Sequence, residues 1–381
     1  MMKKRTTALF VLSTSLLFSS VVSANTHSPR GGNANGKIQA WYDSSISSYG
    51  YTSHFDHAVS TWNGRNANVS ISKTLNNSGQ VDRYYVGTTS EEGLYGRNIW
   101  YNDLGIPVDP DWFSWSRSVV SVFDNQLRNF NGGVNFTSAR IKHTTAHEVG
   151  HSLGLAHTTA SAQVSTSLMT AGDNSSVNRD INTPSSYDIS ELRSLYGGPG
   201  LMASSLNADT SNQNEVDIET QYESYDTLSE LSSFSDLVVI ASPTDDFENR
   251  KHIATFYDTG DLQDYYTLNN LSIKKVLEGD SSNIVENLEV IESNAIVDFG
   301  LQKVKMVNDG YQETQKGTEY ILFLRKDPQG QYQIINRNEG TFTLDEVNST
   351  ATNRRGTFIT RDNDIRDNLL NEIATTYSNE L

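Results

Sequence analysis

Apolar and polar positions change period several times along the first half of the chain. Residues 37–42 (KIQAWY) alternate, the two-residue period of a strand with one buried face. Phe55, Val59 and Trp62 then fall on one face at helical spacing, which predicts a helix over residues 54–62. Residues 81–87 and 97–101 are aromatic, β-prone runs, and residues 119–123 form a short apolar strand candidate. Residues 137–153 read as a helix. Pro184 opens a last helix over residues 185–196, stopped by Gly197-Gly198-Pro199-Gly200. Strands and a helix ahead of a central helix predict an α/β (α+β) domain over residues 37–200, with a mixed twisted sheet and long helices.

The pattern then changes. Residues 201–223 are acidic, rich in Asn and Ser and poor in apolar side chains, as an interdomain linker would be. Residues 224–345 carry short strand candidates at 237–241, 265–276, 288–292, 319–325 and 331–336, separated by Gly, Asp and Asn turns. They predict a small all-β barrel or sandwich-like accessory domain. Tyr265, Tyr266, Tyr320 and Phe323 read as core and sheet-face aromatics of that unit. Residues 346–381 are a tail in which Ile365, Leu369, Leu370 and Ile373 predict a short amphipathic helix.

At the other end, Lys3, Lys4 and Arg5 precede a mostly apolar stretch and the small-residue sequence Val22-Ser23-Ala24. This is the layout of an export signal over residues 1–24, cleaved after Ala24, and the apolar run is too short to span a membrane. Residues 25–36 read as a flexible Gly/Asn-rich leader. Removing residues 1–24 takes away three cations and no acid, so a formal charge of −17 becomes −20. Such a surface argues against nucleic acid or anionic membrane as partner. With no cysteine anywhere, an exported fold here depends on its cores and on metals rather than on disulfides.

The densest chemistry lies in His147-Glu148-Val149-Gly150-His151-Ser152-Leu153-Gly154-Leu155-Ala156-His157. Four residues apart on a helix, His147 and His151 leave the same face one turn apart. Gly154 permits the positive φ that ends a helix sharply, so the chain swings back and His157 supplies a third nitrogen. Three protein ligands leave the fourth position of a tetrahedral zinc open, the mark of a catalytic site. Glu148, beside the first ligand, reaches a water there and acts as general base. The spacing by itself is compatible with any metal-assisted hydrolysis, including that of a non-peptide amide.

His147-Glu148-x-x-His151-x-x-Gly154-x-x-His157 followed by Ser167-x-Met169 resembles the metzincin metallopeptidases. The segment from Tyr187 to Gly197, with Asp188, Glu191, Leu192, Leu195 and Tyr196, is similar to the last helix of the matrixin-like branch. The resemblance covers residues 37–198. It implies zinc as cofactor, protein or peptide substrates, a cleft between an upper sheet-and-helix subdomain and a small lower one, and Met169 as the structural methionine beneath the zinc site. Two departures stand out: Thr158 follows the third ligand, where matrixins often carry Ser, and Ala171 stands where other branches place a ligating Tyr. Without a cysteine there is no cysteine-switch propeptide.

Three further groups suggest metal chemistry or its neighbourhood. His143, one turn before His147, fits a supporting or surface role; His54 and His57 fit surface histidines better than a second site. Asn102, Asp103, Asp109 and Asp111, around a Gly-Pro loop, are a candidate structural calcium site or ordinary turn residues. The chain thus reads as a secreted zinc endopeptidase with no membrane insertion; its oligomeric state is left open, with a monomer as the default. Its C-terminal half binds substrate or surfaces, masks the cleft, or merely stabilises. The alternative is a secreted binding or adhesion protein whose inactive peptidase-like half displays the β-domain.

Overall fold

A computed structural model describes residues 26–27, 36–133, 136–172, 180–198, 214–280, 282, 287–352 and 361–380. The N-terminal half begins with strand β1 (Lys37–Tyr42), helices α1 (Ser44–Ser48) and α2 (Thr52–Trp62), and strands β2 (Ser70–Thr74), β3 (Asp82–Gly87), β4 (Leu94–Tyr101) and β5 (Arg117–Phe123). Helices α3 (Asp124–Gly133), α4 (Ser138–Ser152) and α5 (Ser186–Tyr196) complete it. β1 pairs β2 and β3 in parallel, and β3 pairs β5 in parallel, while β4 runs antiparallel to β5. The mixed sheet predicted from the sequence is present, with β4 as its last strand within this half.

Alternation fails on β4, where all eight residues are buried. One face packs α4; the other packs residues from the C-terminal half, so neither face meets water. α4 is capped by Thr137, whose side chain accepts from the Arg140 N–H, and it is buried from Thr144 through Ser152. Two indoles bind its carbonyls: Trp62 Nε1 donates to Ala146 O at 2.8 Å and Trp100 Nε1 to His151 O at 3.2 Å. These bonds fix the helix in rotation as well as in position.

The C-terminal half comprises β6 (Glu215–Ile218), β7 (Thr220–Tyr222), α6 (Leu228–Phe234), β8 (Leu237–Pro243), β9 (Lys251–Phe256), the long β10 (Leu262–Gly279), β11 (Asn287–Glu292), β12 (Asn294–Asp298), β13 (Lys303–Asn308), β14 (Tyr320–Lys326), β15 (Tyr332–Ile334), β16 (Thr341–Thr343), α7 (Leu344–Thr352) and α8 (Arg361–Thr376). β11, β15, β14, β8 and β10 pair in that order and β10 returns to β11, closing a five-stranded barrel. Those five are the strands that the sequence pattern marks. Leu369 and Ile373 on α8 are fully buried against Leu231, Phe323 and Phe342, as the amphipathic spacing implies. Tyr265, Tyr320 and Phe323 are core residues.

Two expectations need correction. Residues 215–222, read as linker, are strands: β6 pairs β13 in parallel, and β7 adds antiparallel to β4 as the sixth strand of the N-terminal sheet. Their acidic, hydroxyl-rich composition hides the fully buried Val216, Ile218 and Thr220, spaced at the strand period of two. In the leader, Thr26 bridges Leu155 and His27 is buried against Trp100, so this part is held rather than free. The expected export signal lies outside the described residues. Among the described residues, no helix is long and apolar enough to cross a membrane.

Candidate active site

α4 and the turn after it bring His147, His151 and His157 together. His151 Nε2 lies 3.0 Å from His147 Nε2, which is 3.3 Å from His157 Nε2. A tetrahedral zinc with bonds of about 2.0–2.1 Å requires ligand nitrogens about 3.3 Å apart, so this spacing fits. Proton placement fits too. His147 Nδ1 donates to Leu168 O and His151 Nδ1 to Leu155 O, each at 2.8 Å, which leaves both Nε2 atoms as lone pairs facing the same point. Burial, reinforced by neighbouring histidines, holds His147 well below the usual imidazole range and lowers His151 to about 3. Two neutral, buried nitrogens presenting lone pairs, with a third imidazole converging on them, call for a cation.

Gly154 adopts φ +86°, and its N–H and that of Leu155 close the helix end onto His151 O and Gly150 O. Gly150 is required by a different constraint: a Cβ there would lie 2.3 Å from Met169 Sδ and 2.8 Å from Trp62. Met169 is therefore packed directly against the ligand helix. Its turn is tied down by Asp188 of α5, which accepts from Ser167 Oγ, from Leu168 N at 3.0 Å and from Ser185 N at 2.7 Å. The carbonyl that orients His147 thus belongs to a residue, Leu168, whose N–H is held by Asp188. Thr158 joins the same cluster, its N–H on Met169 O at 2.8 Å and its hydroxyl 2.6 Å from Ser167 Oγ.

Glu148 is fully buried, and neither carboxylate oxygen has a hydrogen bond of full geometry, although the Gln221 main-chain N–H is turned toward it. Burial raises its pKa well above the usual carboxyl value, and Asp309 and Glu219 add to the effect. Room for the carboxylate comes from Gly96 on β4, where a Cβ would sit 2.6 Å from Glu148 Oε1. A buried acid whose oxygens have no hydrogen bond of full geometry, set beside three convergent imidazoles, is placed as a proton-transfer group would be.

Several participants were not singled out from the sequence. Glu219, between β6 and β7, accepts from the His157 N–H at 2.9 Å and lies 3.3 Å from His27 Nε2. Burial opposes ionisation of Glu219, yet His157, His27 and His151 together hold it far below the usual range. His27 also bonds Asp111 at 2.7 Å; burial works against its charge, but Glu219 and Asp111 raise it to about 9. Asp309 Oδ1 stands 3.7 Å from His157 Nδ1. None of these residues falls in a spacing motif; they meet only through tertiary structure.

The remaining candidates take structural roles. His143 is buried with Nδ1 on Ile181 O; His54 Nε2 lies 3.2 Å from Ser138 Oγ, and His57 Nε2 lies 2.7 Å from Asn182 O. Asn102 accepts from the Leu104 and Ile106 N–H groups and Asp109 from Asp111 N, as turn caps do. Among the described residues, the groups able to hold a metal are the His147, His151, His157 triad and His27, His151, Glu219. The second is weaker, because His151 Nδ1 is already committed to Leu155 O. Calcium at the Asn102–Asp111 loop finds no support.

Residues 32–197 match the family model of the matrixins. This is a zinc peptidase domain of the metzincin type. No curated protein matches the chain. Among solved structures the chain is similar to high choriolytic enzyme 1, a hatching-enzyme zinc protease from the medaka Oryzias latipes, at 16% identity and a TM-score of 0.26. That likeness covers 46% of this chain and 96% of the other. The residues matched by the family model lie in the N-terminal half, and the barrel strands lie outside them.

Proposed function

We propose that the protein is a secreted zinc endopeptidase in which His147, His151 and His157 hold the metal through Nε2 and Glu148 is the general base. The observation that carries this reading is the convergence of three buried imidazole Nε2 atoms beside a buried carboxyl whose oxygens have no hydrogen bond of full geometry. Zinc, when bound, supplies Lewis acidity that activates water at neutral pH and polarises a carbonyl. Glu148 then takes the proton as water adds to the scissile carbonyl and returns it to the departing amine. Its raised proton affinity suits the second step, and a cation held at the triad would lower it, the direction the first step needs. Met169 and Asp188 keep the ligand helix and the Leu168 carbonyl in place. Export is proposed from residues 1–24 and fits a cysteine-free, strongly acidic chain.

Strand β7 lies on β4 above Glu148, and Arg337 donates to Thr220 Oγ1 of that strand at 2.8 Å, so the assay is run on the zinc-loaded wild type and on an Arg337→Ala background that loosens the strand. Casein cleavage abolished by phenanthroline is the expected result. Adding Glu148→Ala should lower the rate by about 10²–10⁴-fold with zinc content unchanged. Equal residual rates with and without Glu148 would instead favour the binding-protein reading.

A further inference from the structure

The C-terminal half places a strand over the zinc site. β4 is the last strand of the N-terminal sheet, and an open edge beside a hydrolytic centre is where an extended peptide adds by main-chain pairing. β7 occupies that edge antiparallel to β4, with Tyr222 opposite Leu94, Gln221 opposite Gly96 and Thr220 opposite Arg97. Gly96 is the residue against which Glu148 rests, so Gln221 crosses directly above the proposed base. On the opposite side, Gln221 Nε2 donates to Gly172 O at 2.9 Å, just past Met169. The strand therefore spans the gap between the sheet edge and the segment after Met169, and Thr220, Gln221 and Glu148 are all buried.

A buried clamp keeps it there. Arg337, beyond the barrel, donates to Thr220 Oγ1 at 2.8 Å, to Asp309, and to Glu91 Oε1 at 2.9 Å. Glu91 lies just before β4 and receives a further bond from Ser293. Asp309 in turn accepts from the Thr220 N–H at 3.2 Å. One guanidinium thus ties the covering strand, the barrel half and the rim of the zinc domain together. Since all three groups are in one chain, the strand meets its edge at high effective concentration.

We infer that the C-terminal half is an inhibitor in cis: residues 220–222 fill, as strand β7, the place a protein substrate would take, and Arg337 latches them. The inference rests on the reading of the triad and Glu148 as the peptidase centre. Its test therefore reads access to the site as well as turnover.

The full zinc-loaded chain carrying Leu94→Cys with Tyr222→Cys has no other cysteine, so oxidation closes a single cross-link between β4 and β7. Binding of a fluorescent peptide hydroxamate is followed by polarisation, with casein cleavage in parallel. The oxidised chain should bind the hydroxamate at least about tenfold more weakly than the same chain after reduction, because it cannot populate the open state. Without the cross-link, Thr220→Pro with Arg337→Ala should bind more tightly than wild type by a similar factor. Equal binding by oxidised and reduced chains overturns the inference, whether or not the opened variant folds. Tight hydroxamate binding by the opened chain without casein cleavage would leave the inhibitor in place and remove the peptidase reading.

Discussion

Glu148 has its space because residue 96 lacks a side chain. β4 is otherwise lined with large groups, Tyr95, Trp100 and Tyr101 among them, and only glycine at 96 lets the carboxylate approach the sheet. Gly96→Ala would put a methyl group 2.6 Å from Oε1. Backbone and helix are both pinned, so the Glu148 side chain must rotate away. A displacement of this size at a proton-transfer group costs on the order of 10²-fold in rate. We expect casein cleavage on the Arg337→Ala background to fall by about that factor while zinc content by metal analysis stays at the unmutated level. Loss of zinc together with activity would mean that Gly96 supports the ligand helix and not the base.

At the scale of elements, the ligand set depends on how α4 ends. Gly154 turns the chain at φ +86°, and a Cβ there would also meet Trp115 at 3.0 Å. Gly154→Ala should cost about 1–2 kcal/mol from the left-handed backbone alone, seen as a lower midpoint in urea. It should also weaken zinc affinity, since His157 reaches the triad only through this turn; competition with a chromogenic chelator measures it. Unchanged zinc affinity would show that Leu155 and Thr158 position His157 without the turn. This part of the site was legible in the sequence because α4, its end and its three imidazoles are local: spacing alone carries them. The five barrel strands were legible for the same reason, as short apolar runs between turns. β6 and β7 were not. Their stability comes from β13 and β4, remote in sequence, and Asp217, Glu219 and Thr220 make the segment read as solvated. Glu219, Asp309 and Arg337 escaped notice likewise, because ion pairs between distant residues leave no periodic trace.

Across the whole molecule, the two halves share one apolar core and a set of buried ion pairs. Ile99, Trp100 and Trp115 pack with Val216, Leu262, Tyr265 and Met306, and Tyr85 stacks on Tyr257 at 4.0 Å. Within this contact Arg97 lies 3.5 Å from Asp264 and 4.2 Å above the Tyr265 ring, while Asp261 receives both Arg83 and Arg117. Removing one partner of such a pair leaves an uncompensated buried charge, so Arg97→Met should cost about 3–5 kcal/mol. Asp264→Asn keeps one acceptor, for the Ser90 N–H now on Oδ2 at 2.8 Å, and puts an amide NH2 where Oδ1 takes the Thr89 hydroxyl at 2.8 Å, a bond that reverses direction as the charge is discarded. The double variant should therefore be more stable than the sum of the singles by about 0.5–3 kcal/mol. The probes of unfolding can be separated by half, since all five tryptophans (41, 62, 100, 112 and 115) lie in the zinc domain. If the shared core makes the halves one cooperative unit, tryptophan fluorescence and far-UV circular dichroism will trace the same urea transition in wild type and shift together in Arg97→Met. A fluorescence midpoint that moves while the dichroism of the barrel half stays behind would mean that the halves are held by contact alone and fold separately.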